Sequence, residues 1–149
     1  MIPRSPHWPS TEKAHLANQP GCAVCGKTDA VNVHHCFPFE VGRNLGYPST
    51  ELWPDNLITL CETEYLKPEN NHHLLVGHGG DFECTNLNVR EDVIRYKNMT
   101  HDQIMVTDSY KELVKDRLPR PDLMTDEQKA YCIQWLKDNY PNLPEFQKK

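Results

Sequence analysis

With 149 residues, the chain is long enough for one domain with a modest core and too short for several. A hydrophobic content of 38%, with three Trp and six Tyr, argues against disorder. The net charge of −5 weighs against tight, unaided binding to DNA, because nonspecific affinity for nucleic acid comes from Lys and Arg. Twelve prolines predict many loops and short elements, a composition that often relies on a metal staple.

The first twenty residues contain no apolar segment of the kind a secretion signal needs, and no run approaches the roughly 18 apolar residues of a membrane helix. The expected location is therefore cytoplasmic, with no membrane partner. There, six cysteines are expected as metal ligands and free thiols rather than disulfides.

In chain order, Ser10 or Thr11 is placed to cap a short helix over residues 11–18, with Ala14, Leu16 and Ala17 facing inward. Gln19-Pro20-Gly21 ends it. Cys22-Ala23-Val24-Cys25-Gly26 reads as a zinc knuckle, a tight turn that offers two sulfurs to one metal. Residues 30–35 read as a strand, with Val31 and Val33 alternating against Asn32 and His34. Residues 37–54 read as a proline- and glycine-punctuated loop, residues 57–60 as a second short strand, and residues 62–70 as another loop. A helix opening at Asn70 or Asn71 is expected to carry residues 72–76 and to end at the Gly77, Gly79, Gly80 cluster. Residues 100–118 follow a helical pattern with a break near Thr107. Residues 119–124 form a short connector. Thr125 and Gln128 make a capping box for a last helix that Pro141 stops.

Adjacent residues on a strand point to opposite faces, so His34 and His35 cannot aim at one atom; they can take two roles, one on a metal and one on an attacking water. A neutral imidazole can take a proton from water near neutral pH, and one divalent ion with open positions can serve a phosphate and its leaving group together. His78 lies five residues after His73, more than one helical turn. On spacing alone it either ligates the same metal or contacts the phosphate.

The order of these pieces resembles the HNH endonuclease family over roughly residues 4–89, from Arg4-Ser5 and Trp8-Pro9 onward. CAVCG, VHHCFPF, ELWPDNLITLC and HHLLVGHGGDFECTNLNV carry the likeness most strongly. It looks most like the branch found in bacteriophages and mobile elements, where His-His replaces Asp-His; a phage origin would place the protein in a bacterial host cell. The resemblance implies an α+β chain built on a small ββα-metal finger with a structural zinc knuckle, flanked by N-terminal and C-terminal helices. One domain, 1–149, would hold a metal core over residues 20–90 and a helical extension over residues 98–140.

The resemblance further implies that His34 and His73 hold a catalytic divalent ion such as Mg²⁺, Mn²⁺ or Ni²⁺. His35 would be the general base, and Asn56 would orient its ring through a side-chain or backbone amide. Cys22, Cys25, Cys61 and His72 would hold a structural Zn²⁺, His72 standing where the family often has Cys. The activity implied is hydrolysis of DNA phosphodiester bonds. Two other readings stay open: a zinc-stabilised nucleic-acid or protein binding module with an idle site, and an RNA-cleaving nuclease or toxin. Residues 51–100 carry four basic residues, Lys67, Arg90, Arg95 and Lys97, against nine acidic ones. DNA binding is therefore expected to draw on self-association or a basic partner protein.

Overall fold

The β-branched run before the histidine pair forms the first of two strands, β1 (Val31–His35), which pairs antiparallel with β2 (Leu57–Cys61). The register sets Val31 against Cys61 at one end and His35 against Leu57 at the other, so Cys61 lies at one end of the pair and His34 and His35 toward the other. The structure, a computed structural model, describes residues 4–64 and 71–147. An isolated two-stranded sheet is marginal in water. Here β2 is buried along its whole length because both of its faces are covered.

One face packs on α1 (Trp8–Asn18), through Trp8, Val33 and Leu57 with Leu16 and Leu52 around them. The other face, with Ile58 and Leu60, joins the main cluster with Val24, Leu75, Val76, Tyr96, Ile104 and Tyr110. A third cluster ties Phe37 and Val41 to Cys132, Leu136, Tyr140 and Leu143 from the C-terminal helices. The chain is thus α+β, a small sheet among helices, and among the described residues no helix is long and apolar enough to cross a membrane.

Several elements differ from expectation. Helix α1 starts at Trp8, and neither Ser10 nor Thr11 caps it. The first turn holds Pro9, whose missing N–H is no loss there, and the Ser10 hydroxyl donates back to the His7 carbonyl. The expected loop 37–54 contains α2 (Phe39–Leu45) and two 3₁₀ turns, Pro48–Glu51 and Pro54–Asn56. Seven residues with an internal glycine give too short a pattern to be read as a helix. A further helix, α3 (Val89–Arg95), was also not anticipated.

The C-terminal third follows its capping signals. Thr100 and Gln103 form a capping box for α4 (His101–Met105), and Thr107 caps α5 (Asp108–Asp116), so the break falls at Thr107. Thr125 and Gln128 form the expected box for α6 (Asp126–Asn139), which is followed by α7 (Pro144–Gln147). The expected loop 62–70 lies largely outside the described residues, as does Asn70. Asn71 takes the capping role, its Oδ1 accepting from Leu74 N at 2.7 Å.

Candidate metal centres

Two clusters of ligand atoms lie on the strand pair. In the first, the knuckle places Cys22 Sγ and Cys25 Sγ beside Cys61 at the end of β2, and His72 completes the group. Gly26 sits at φ +77°, the left-handed conformation that lets the turn close with its N–H on the Cys22 carbonyl. Cys25 Sγ lies 3.9 Å from Cys61 Sγ, and His72 Nδ1 lies 3.2 Å from Cys61 Sγ and 3.8 Å from Cys22 Sγ. Ligand atoms around a tetrahedral zinc, with Zn–S about 2.3 Å and Zn–N about 2.0 Å, stand roughly 3.3–3.8 Å apart. A Cys3His set of this size fits zinc. Val24 N and His72 N donate to the Cys22 and Cys61 sulfurs, which stabilises thiolate character. The hydrogen bond with Cys61 pulls the Cys22 thiol well below its ordinary value, and the same contact pushes Cys61 up. His72, the fourth member expected from the sequence, sits within this set.

The second cluster joins His34, His73 and His78. His73 Nε2 lies 3.1 Å from His34 Nδ1 and 3.1 Å from His78 Nε2. Their other nitrogens fix the tautomers. His73 Nδ1 donates to Glu62 Oε1 at 2.7 Å, and His78 Nδ1 donates to the Cys84 carbonyl at 2.7 Å. Both rings therefore aim an Nε2 lone pair inward. A carboxylate behind a ligating imidazole is a recurrent partner of metal-bound histidine.

His34 Nδ1 points into the same spot, while its Nε2 is buried without a partner. Burial first, and then the neighbouring His78 and His73 rings, hold His34 well below the ordinary histidine range. Burial and His73 push His78 down to about 4. Nitrogen lone pairs that converge in this way repel unless a cation or a shared proton lies between them. Nitrogen atoms about 3.0–3.3 Å apart are what neighbouring ligands at 2.0–2.1 Å from one ion would show.

The spacing of His73 and His78 is explained by the turn that carries them. The expected α-helix over residues 72–76 is instead a π turn, His73–Gly77, closed by His78 N donating to the His73 carbonyl at 3.1 Å. An i→i+5 turn brings residue i+5 back toward residue i, as a regular α-helix would not. Gly77 lets the turn lie against β1: a Cβ there would stand 3.1 Å from His34 Cε1 and 3.1 Å from Leu60 Cδ1.

His35 points away from the three-histidine cluster, its ring 4.9 Å from that of Trp8 and 5.1 Å from that of Phe39. Its Nε2 lies 2.8 Å from the Glu51 carbonyl, and a carbonyl only accepts, so Nε2 carries the proton and Nδ1 the lone pair. Burial pushes the ring down to about 4, against the Glu51 hydrogen bond and with help from Arg4.

Asn56 does not make the expected contact with this ring. Its Oδ1 accepts from Phe37 N at 2.7 Å and from the Tyr140 hydroxyl at 2.9 Å, and its Nδ2 donates to the Phe37 and Thr50 carbonyls. The side chain is fully committed to pinning the connection between the strands, one residue from the Glu51 carbonyl that does hold His35. Glu51 and Glu62 are thus the ring-orienting residues that sequence reasoning missed. Glu62 follows Cys61 directly, and a carboxylate next to a candidate ligand was the available signal.

His34, His35, His73 and His78 line one open cavity of about 270 Å³, together with Arg4 and Phe39. No protein-family model, curated protein or solved structure matches the chain. The assignment of chemistry to this cavity therefore rests on its own atoms.

Proposed function

We propose that the chain is a metal-dependent endonuclease of the HNH type that hydrolyses DNA phosphodiester bonds. In this reading β1, β2 and the π turn act as the family's ββα-metal finger. The observation that carries it is the convergence of three imidazole lone pairs in a cavity that also holds a separately oriented fourth histidine. Three protein ligands leave positions open for substrate and water, as catalytic metal sites do, whereas the Cys3His set has none to spare.

His34, His73 and His78 would hold a divalent ion such as Mg²⁺, Mn²⁺ or Ni²⁺. When bound, it would neutralise charge on the phosphoryl oxygens and on the leaving 3′ oxygen. His35 is neutral near pH 7 and has Nδ1 available to take the proton of the attacking water. The Glu51 carbonyl keeps the ring in that tautomer and supports the positive charge that develops on it. Glu62 and the Cys84 carbonyl hold the ligand tautomers of His73 and His78. Attack by water would leave 5′-phosphate and 3′-hydroxyl ends. Asn56 acts at one remove, by fixing the segment that carries Glu51.

The test is a plasmid-cleavage assay with EDTA and with Mg²⁺, Mn²⁺ and Ni²⁺ in turn, alongside a single-stranded RNA substrate. Cleavage of DNA that EDTA abolishes and a divalent ion restores is the expected result. Cleavage of RNA alone would move the activity to the other nucleic acid. No cleavage with any ion would leave a zinc-stabilised binding module.

A further inference from the structure

The cavity that the histidines line also carries a guanidinium with no acceptor among the described residues. Arg4 Cζ lies 4.2 Å from the centre of the Phe39 ring and 4.6 Å from that of Trp8. The same two rings contact His35, so Arg4 is held beside the imidazole assigned as base. The carboxylate that acts on it most strongly is Glu51, which is buried, and its oxygens are taken: Oε1 by Arg43 at 3.0 Å and Oε2 by Ser5 N at 3.0 Å. Among the described residues Arg4 makes no hydrogen bond or ion pair. Five N–H donors on a planar cation, stacked on two rings and facing a cavity, are suited to an anion. Stacking fixes the plane of the guanidinium beforehand, so little rotamer freedom is lost when an oxyanion arrives. An arginine serving only to tie the N-terminal segment would be expected to share Glu51; here the backbone N–H of Ser5 and the side chain of Arg43 do that instead.

We propose that Arg4 is an anion subsite for a nonbridging oxygen of the phosphodiester, in the cavity that the three histidines also line. This rests on the phosphodiesterase reading and adds to it a substrate-binding residue outside the strand–turn core. The subsite supplies a positive contact that the acidic middle of the chain lacks. It acts on any phosphodiester, because a phosphate oxygen carries no base identity.

The experiment compares wild type with Arg4→Gln, Arg4→Lys and a charge control, Lys111→Gln, on the exposed side of α5. Binding of inorganic phosphate is measured by calorimetry on zinc-loaded protein, with and without Mn²⁺. Hydrolysis of bis(p-nitrophenyl) phosphate is measured with kcat and KM separated. Arg4→Gln should weaken phosphate binding about 10- to 100-fold, the range for a lost charged hydrogen bond, with Mn²⁺ affinity and melting temperature unchanged. Arg4→Lys should recover only part of this, since an ammonium cannot offer the planar fork. Lys111→Gln should match wild type.

Phosphate affinity in Arg4→Gln equal to wild type would overturn the subsite. So would hydrolysis at wild-type kcat and KM, with the phosphodiesterase reading intact. Arg4-dependent phosphate binding in a protein that hydrolyses no phosphodiester would keep the subsite and remove that reading.

Discussion

The Cys22–Cys25–Cys61–His72 cluster and the three-histidine cluster draw on the same pieces of chain and differ in what closes them. Both use the paired strands, one at each end of the register, and both take a residue from the start of the π turn. His72 turns its ring to the sulfurs and the adjacent His73 turns to the other histidines. The first group has four soft or borderline ligands within 4.8 Å of one another and no protein-free position in a tetrahedron. The second has three nitrogens, each oriented from behind or buried, and a cavity in front. One arrangement suits a metal that holds the fold, the other a metal that meets a substrate. Because neighbouring residues feed both, ordering the first site also orders a ligand of the second.

The sharpest way to break the comparison is to remove the first site. Cys61→Ser should unfold the chain, since a structural zinc contributes about 10 kcal/mol or more to folding and the whole stability of a domain is of that order. Circular dichroism melting with and without added zinc would check it. A folded Cys61→Ser variant that holds no zinc would return the cysteines to simple packing.

Next in size is His35→Ala. It should lower turnover by about 10²- to 10⁴-fold with divalent-metal affinity unchanged, because the ring faces away from the three nitrogens. Loss of metal binding in this variant would exchange the roles of His34 and His35.

Acidification should act on the metal-free second site by a few kcal/mol. His35 and His78 are held down at about 4 in the folded chain against an ordinary value of 6.5. A depressed histidine means that the unfolded chain binds more protons between those values. Stability should therefore be fully present above about pH 6.5 and fall as pH drops toward 4, on the order of 3 kcal/mol for His35 alone. Urea melts at several pH values on zinc-loaded protein would reveal it. A flat profile from pH 7 to 5 would mean that these rings titrate in the fold as they do in the unfolded chain.

Glu62→Gln is the mildest change and separates the two sites most cleanly. It removes the carboxylate behind His73 and should weaken Mn²⁺ binding about 10- to 100-fold while zinc content stays the same. Calorimetry with Mn²⁺ and metal analysis for zinc make the pair of readouts.

What could be read beforehand follows from how local each signal is. The knuckle, the strand carrying His34 and His35, and the capping box at Thr125 are short-range patterns, and each appears in the structure. The ring partners of the histidines were not legible in the same way. Glu51 O reaches His35 across 16 residues, and Glu62 meets His73 across a segment whose length gives no register. Asn56 was assigned a neighbour it does not touch, because an amide can pin many backbone groups and only the folded connection decides which. On α-helical spacing His78 falls between two roles; the π turn has a different period and brings it back to His73. The α2 helix was missed because its pattern is shorter than two turns.

Two classes of metal per chain are expected, and native mass spectrometry counts them directly. Wild-type protein purified with zinc, treated with mild EDTA and then titrated with Mn²⁺ should carry one zinc that survives EDTA and one exchangeable manganese. His73→Ala should keep the zinc and lose the manganese. A single metal per chain under all conditions, or a His73→Ala variant that binds manganese as wild type does, would contradict the assignment of the three histidines as a metal centre.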